Sequence, residues 1–267
     1  MILTEGGNVF KDANKVPVTQ RINRNDVPTT VRWLEQVTGL SLMGTMVGST
    51  GQKETSGDID LALDATKLTK DAVIGVLVKW CKAQGIPDDE IMNRKAKGKN
   101  PAMLAGWIDQ TGIEVHFRTP INGDAKQGFV QTDFNFLTNL KWSRFMLSAM
   151  PPESQYKGVD RAVLMNSIGK VLGFKISVHT GVHDRQTNEL ITSDPAQLAQ
   201  MLVPNGTVRD LVSVEAILGA LRNDPQRREK LADFANYLKT TGRELPALED
   251  SADPGNWFRF INQRLTR

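Results

Sequence analysis

From Gly48 to Leu63 the chain reads Gly-Ser-Thr-Gly-Gln-Lys-Glu-Thr-Ser-Gly-Asp-Ile-Asp-Leu-Ala-Leu, and the alternation at its end constrains the fold more than any other segment. A strand turns successive side chains to opposite faces, so Asp58 and Asp60 share one face while Ile59 and Leu61 enter a core. Such a strand needs a sheet with one covered face. Two like charges held on one face repel unless a cation lies between them, and carboxylate oxygens are hard ligands suited to Mg²⁺ or Mn²⁺. Upstream, the run SLMGTMVGS reads as a strand ending at Gly48 and Ser49. The glycine- and hydroxyl-rich turn after it lets backbone N–H groups approach a phosphate closely. Ser49 adds a hydroxyl, and Gln52 or Lys53 can reach phosphate oxygens. Either feature alone is common, since Asp-x-Asp occurs on surface strands and Gly-Ser in ordinary turns. Their order and spacing make them one candidate site.

The rest of the chain supplies the layers such a strand requires. Val31, Leu34 and Val37 fall at helical spacing within residues 27–38, with Pro28 suited to the first turn and Gly39 to the end. Residues 69–85 read as a strongly apolar helix, followed by a Pro87-Asp88-Asp89 turn and the basic run Arg94-Lys95-Ala96-Lys97-Gly98-Lys99. That run suits either a loop that meets phosphate or a solvated turn. Three strand-like segments come next, PAMLAGWID, TGIEVHFRT and GFVQTDFNFL, joined by turns at Gln110-Thr111-Gly112 and Pro120–Asp124. The expected class is α/β, more closely α+β: a mixed sheet flanked by helices over residues 1–140. A helical region with a small strand pair in KISVHTGVHDRQTNELIT spans 141–204, and a helical tail spans 205–267. The strand pair should turn near Thr187-Asn188. The tail's helices include SVEAILGALRND and a second one entered through Pro225 and stopped at Gly242.

Composition excludes several classes. The 267 residues are 40% apolar, enough for substantial cores, and the net charge of +3 neither demands nor forbids a nucleic-acid partner. No run approaches the roughly 18 apolar residues of a membrane span, and MILTEGGNVFKDANK lacks the apolar core of a signal peptide. The expectation is therefore a cytoplasmic chain with no membrane partner. The single cysteine, Cys81, sits in an apolar helical pattern and reads as buried rather than reactive. A P-loop is absent, since no G-x-x-x-x-G-K-[ST] sequence occurs.

GSTGQKETSGDIDLAL resembles the DNA polymerase beta nucleotidyltransferase superfamily, whose signature is a Gly-Ser after a strand and, a short spacer later, Asp-x-Asp on the next strand. The Lys-Glu before Ser-Gly-Asp-Ile-Asp is seen in its family X polymerases. The resemblance implies a palm-like mixed sheet and two metal ions, Mg²⁺ or Mn²⁺. Gly48 and Ser49 would bind a nucleoside triphosphate, Asp58 and Asp60 would ligate the metals, and a third carboxylate on a later strand would complete the set. Glu114 and Asp133 compete for that place. The resemblance favours Asp133, because VQTDFNF is similar to the family's last catalytic strand. The order of elements downstream follows family X to about residue 204, with modest residue identity.

The activity implied is transfer of an NMP or dNMP to an acceptor hydroxyl, a nucleic-acid 3′ end being favoured over a protein or small molecule. A noncatalytic binding module on the same fold is the alternative from another class. The N-terminal part also looks like nucleotidyltransferases encoded by tailed bacteriophages, which implies the cytoplasm of an infected bacterium. Departures limit the inheritance. Too few residues precede Gly48 for a lyase and helix-hairpin-helix domain, the sugar-selecting Tyr-Phe-Thr-Gly-Ser has no counterpart, and the tail from about Thr207 has no family match.

Other polar residues read more blandly. His116 alternates with Glu114 and could line the same cleft, but an exposed sheet face explains both. His179 and His183 lack a third ligand and are not read as a zinc site. Trp257, Phe258 and Phe260, beside Arg259 and Arg264, read as a docked terminal helix rather than a base-stacking platform.

Overall fold

Pro28 supplies the fixed φ of a first helical turn, and a helix runs Val27–Thr38 (α1). Gly39 ends it in the left-handed region (φ 71°), its N–H donating to the Glu35 carbonyl at 2.8 Å. Val27, Val31 and Leu34 form its buried stripe; burial of each contributes roughly 1.5–3 kcal/mol. The structure, a computed structural model, describes residues 8–95 and 103–245.

The strand expected over 41–49 does not form. The Glu35 carboxylate accepts the N–H groups of Leu42 and Met43 at 2.6 and 2.9 Å, and Met43–Thr45 curl into a 3-10 turn. These backbone donors are satisfied by a side chain instead of a neighbouring strand. Only Met46 makes an antiparallel bridge, to Leu61. Ile22–Asn23 (β1) and Thr55–Ser56 (β2) pair briefly ahead of the strand Asp58–Asp64 (β3). Thr69 then caps the helix Lys70–Ala83 (α2) by accepting the Ala72 N–H, and Val73, Leu77 and Cys81 bury its apolar face. A one-turn helix, Asp88–Ile91 (α3), leads to Arg94–Lys95 (β4), which pairs with Met103–Leu104 (β5). The middle of the basic run, from Ala96 on, lies outside the described residues. PAMLAGWID is not one strand, because Gly106 interrupts it. A Cβ there would stand 2.5 Å from the Met92 carbonyl carbon, so only glycine lets the two backbones meet.

The main sheet follows from Ile108–Thr111 (β6), Glu114–Pro120 (β7) and Phe129–Leu137 (β8), in the order β3-β8-β7-β6. β3 and β8 are parallel, and the other pairs are antiparallel hairpins. Helices α1 and α2 cover the face that carries Ile59, Leu61, Val115, Phe117 and Phe134. Trp80 meets Trp33 and Phe117 edge to face, with centroids 5.2 and 5.5 Å away. The molecule is thus an α+β fold with a mixed sheet flanked by helices, as its sequence leads one to expect.

The second half is mostly helical: Leu140–Met146 (α4), Gly158–Val171 (α5), Pro195–Leu202 (α6), Val214–Ala220 (α7) and Arg227–Thr240 (α8). Between α5 and α6 lie three antiparallel strands, Phe174–Ser177 (β9), Gly181–Asp184 (β10) and Leu190–Thr192 (β11), where the sequence suggests two. The turn falls where expected, with Asn188 at φ 65°. Residues on both sides of position 204 share one core, in which Trp142, Leu164, Ile168 and Leu198 pack with Ile217, Phe234 and Leu238. The aromatic cluster around Trp257 lies outside the described residues. Among the described residues, no helix is long and apolar enough to cross a membrane.

Candidate active site

Helices α1 and α2 cover one face of the sheet, and the other face carries the polar set, with α4 packed at its β3 edge. Register decides which groups meet. Asp60 pairs with Asp133 across the parallel β3–β8 ladder, Asp133 with His116, and His116 with Asp109, giving one lateral row. The next row is Asp58, Gln131 and Arg118; the row on the other side is Ala62, Asn135 and Glu114. All of these alternate with core residues, so period two aims them at one surface. Asp58, Asp60, Asp133 and Glu114 therefore share a face, and both candidates for the third carboxylate reach it.

The environments of the carboxylates differ. Burial raises the pKa of Asp60 well above the usual carboxylate range, and the charges of Asp58, Asp133 and Glu114 push it further the same way. Glu114 is also raised, mainly by burial, although His116 opposes the shift. Asp133 is almost fully buried and held by side chains. Its Oδ1 meets His116 Nδ1 at 2.7 Å and accepts from Gln131 Nε2 at 2.9 Å, and its Oδ2 accepts from Gln131 Nε2 at 3.1 Å. Gln131 in turn accepts the Val9 N–H at 2.9 Å, which ties the N-terminal segment to this row. His116 is 3% exposed, not on a solvated face as its alternation suggested, and its Nε2 lies 3.5 Å from Glu114 Oε2. Burial alone would lower the His116 pKa; the bond to Asp133 and the charges of Asp133, Glu114 and Asp109 outweigh it and leave it raised.

The turn beside β3 sits directly on this cluster. Gly48 has φ 64°, and a Cβ built on it would come 2.8 Å from Asp60 Oδ2, so both conformation and space require glycine. The Val47 N–H donates to the Asp60 carbonyl at 3.0 Å, and Thr50 Oγ1 accepts the Asp60 N–H at 2.9 Å. On the far side the Gly48 N–H donates to the Leu147 carbonyl at 2.8 Å, so the end of α4 fixes the turn. A pocket of about 310 Å³ adjoins it, with Gly48, Thr50, Gln52, Arg144 and Ser148 as its polar lining. Of the predicted phosphate ligands, Gly48 and Gln52 line this pocket. Ser49 and Lys53 are exposed on the same turn but outside the lining.

Among the described residues, no three His, Cys, Asp or Glu side chains stand close enough together to hold a metal as they are placed. The donor set nonetheless fits a hard divalent cation: several carboxylates face one another, and Asp60 is destabilised in its charged form by its neighbours. Sequence reasoning missed Gln131 and Asn135, which period two counted from Asp133 could have found. Arg144 and Ser148 carry no local signal, because only the packing of α4 brings them to the Gly48 turn. His179 and His183 lie on or beside the β9–β10 hairpin of the helical half, away from this face. Cys81 is buried, and burial pushes its thiol up to about 12.

No family model matches the chain, and the comparison with curated proteins finds no match.

Proposed function

We propose that the chain is a metal-dependent nucleotidyltransferase that moves an NMP or dNMP from a nucleoside triphosphate to an acceptor hydroxyl, a nucleic-acid 3′ end, with release of pyrophosphate. The observation that carries this reading is the Asp60–Asp133 pair in register on adjacent parallel strands, with Asp58 and Glu114 on the same face and Gly48 pressed against Asp60. Asp58, Asp60 and Asp133 would hold two ions, Mg²⁺ or Mn²⁺, with Glu114 the alternative third carboxylate. When bound, such ions offset charge on the α-phosphate and lower the pKa of the attacking hydroxyl.

The chain's own groups divide the remaining work. Gly48, whose own N–H is held by the Leu147 carbonyl, lets the chain pass close to Asp60 beside the 310 Å³ pocket, and Gln52, Thr50 and Arg144 offer donors for the β- and γ-phosphates. Ser49 and Lys53 stand on the same turn, within reach of the same phosphates once they are bound. Holding the leaving pyrophosphate there fixes the α-phosphate near Asp60, which favours in-line attack. Asp133 Oδ1 meets both His116 and Gln131 whereas Oδ2 accepts from Gln131 alone, so Oδ2 is the oxygen with more capacity for the acceptor hydroxyl. His116 and Gln131 act as positioning residues that keep Asp133 aimed.

The test is incubation of the purified chain with each labelled NTP and dNTP, Mg²⁺ or Mn²⁺, and pooled RNA and DNA oligonucleotides. An Asp58→Asn/Asp60→Asn double variant serves as control. Label on an oligonucleotide with wild type only supports the reading. Triphosphate binding without transfer would move the acceptor to a protein or small molecule, and failure to bind triphosphate with metal would overturn the reading.

A further inference from the structure

Arg118 lies on the polar face of the sheet, yet the triphosphate pocket and the carboxylate cluster leave it unused. It pairs in register with Gln131, which pairs with Asp58, so its Cα lies on the order of 10 Å from that of Asp58, two strand spacings away. Its guanidinium carbon sits 4.1 Å from the ring centroid of Phe129 and 5.0 Å from that of Trp107, and these two rings meet edge to face. The rings hold a planar cation in one orientation. Its Nε is buried without a hydrogen-bond partner, and among the described residues no carboxylate forms an ion pair with it. Burial lowers its pKa.

This arginine faces a second pocket of about 300 Å³, walled by Asp12, Ala13 and Val18 on one side and by Asp89, Glu90 and Met92 on the other. Among the described residues, Arg118 is the one cation that lines it. A rigid fork of N–H donors without an acceptor matches the paired oxygens of a phosphate. The rim carboxylates of Asp12 and Glu90 make a multiply charged free anion a poor occupant. They favour a singly charged phosphodiester whose sugar and base carry N–H and O–H donors toward Asp12 and Glu90.

From this geometry we infer that Arg118 and its pocket bind a backbone phosphodiester of a nucleic-acid acceptor, upstream of the hydroxyl delivered to Asp133. The inference rests on the nucleotidyltransferase reading for the hydroxyl's destination, but not for the binding itself.

The experiment uses the full chain as wild type, Arg118→Gln and Arg118→Lys, with thermal melts to confirm folding. Fluorescence anisotropy reads the binding of single-stranded oligonucleotides at low and high salt, and labelled NTP with Mg²⁺ is titrated separately. Arg118→Gln should weaken oligonucleotide binding by roughly tenfold and flatten its salt dependence by about one counterion, leaving NTP affinity intact. Lysine should restore part of the charge effect but not the forked contact. Replacing one particular phosphate by an uncharged methylphosphonate should reproduce the loss in wild type and add nothing in Arg118→Gln. Equal binding by wild type and Arg118→Gln would overturn the inference, leaving the arginine as packing between two rings. Displacement of the oligonucleotide by millimolar inorganic phosphate, in wild type but not in Arg118→Gln, would also overturn it, in favour of a small-anion site. A wild type that binds NTP but no oligonucleotide sinks this inference alone. Arg118-dependent oligonucleotide binding without NTP binding supports it while sinking the transferase reading.

Discussion

Asp160 and Asp60 are both carboxylates withdrawn from water, and the two halves of the molecule treat them in opposite ways. In the helical half, Asp160 is fully buried but accepts bonds from both Nη atoms of Arg243 at 2.8 Å, from the Tyr237 hydroxyl at 3.0 Å and from the Lys157 N–H at 2.7 Å. Burial would raise its pKa, but these donors, Arg243 foremost, hold it below the usual range. The neighbouring Arg161 is equally buried, and its two Nη atoms donate to the Phe145, Met146 and Val212 carbonyls and to Ser148 Oγ, while its Nε has no partner. Burial brings its pKa down to about 10. On the sheet, Asp60 faces three other carboxylates, and burial and repulsion both disfavour its charge. The charge of Asp160 is compensated within the chain and serves the fold. On the sheet His116 and Gln131 answer Asp133, but the neighbours of Asp60 that carry charge all oppose its own, which is how a site that awaits a cation differs from a structural ion pair.

The largest effects that can break this contrast concern catalysis. Asp58→Asn and Asp60→Asn should each lower nucleotide transfer by about 10³-fold or more, without loss of fold, as followed by label incorporation and circular dichroism. Asp133→Asn should match them and Glu114→Gln should not. The reverse order for that last pair would reassign the third carboxylate, and activity surviving in Asp60→Asn would remove the contrast altogether. In the helical half the expected loss is of stability. Asp160→Ala strands Arg243 and Tyr237, and should cost about 2–4 kcal/mol in urea unfolding, toward the low side for a buried pair because Arg243 stays about a third exposed. An unchanged unfolding midpoint would mean that this pair does not hold α5 to α8.

A smaller effect tests how the turn is coupled to the cluster. Gly48→Ala places a methyl group against Asp60 Oδ2 and forces a non-glycine residue to φ 64°. Strain of roughly 1–2 kcal/mol should appear as reduced stability, with about a ten- to hundredfold loss of transfer as Asp60 is displaced. Wild-type kinetics in this variant would show that the turn can relax without moving the carboxylate.

The two halves were not equally legible in the sequence. On the sheet, Asp58, Ile59, Asp60 and Leu61 announce strand, face and carboxylate pair together, because period two is a local signal. The same logic reaches Asp133 and Glu114 once their strands are recognised. It fails for the segment 41–49, whose apolar residues look like a strand but whose backbone donors are taken by Glu35, eight or fewer residues upstream. It also fails for His116, since alternation says which face a residue joins but not whether that face is wet. Arg144, Ser148 and Arg118 become informative only through contacts between distant segments, α4 against the Gly48 turn and Trp107 against Phe129. In the helical half, nothing near Asp160 in sequence foretells Arg243 as its partner.

The smallest effect bears most directly on the contrast, because it predicts opposite pH slopes for the two aspartates. Asp60 has a folded-state pKa raised above the ordinary 3.8, so the native state binds its proton more tightly than the unfolded chain does. Without metal, its contribution to stability is therefore lost as pH rises from about 4 through that raised value. Asp160 is depressed, so its contribution is present above the ordinary 3.8 and is lost as pH falls through the lower, folded-state value. Asp60→Asn should then raise the melting temperature at neutral pH in metal-free buffer by a few degrees, equivalent to about 1 kcal/mol. Millimolar Mg²⁺ should erase the difference, because a cation bound only to the native wild type stabilises it by mass action while the variant gains little. An Asp60→Asn variant that melts below wild type without metal, or that gains as much from Mg²⁺, would show that Asp60 is compensated inside the chain after all. The sheet would then be, like the helical half, a place where buried charge serves only the fold.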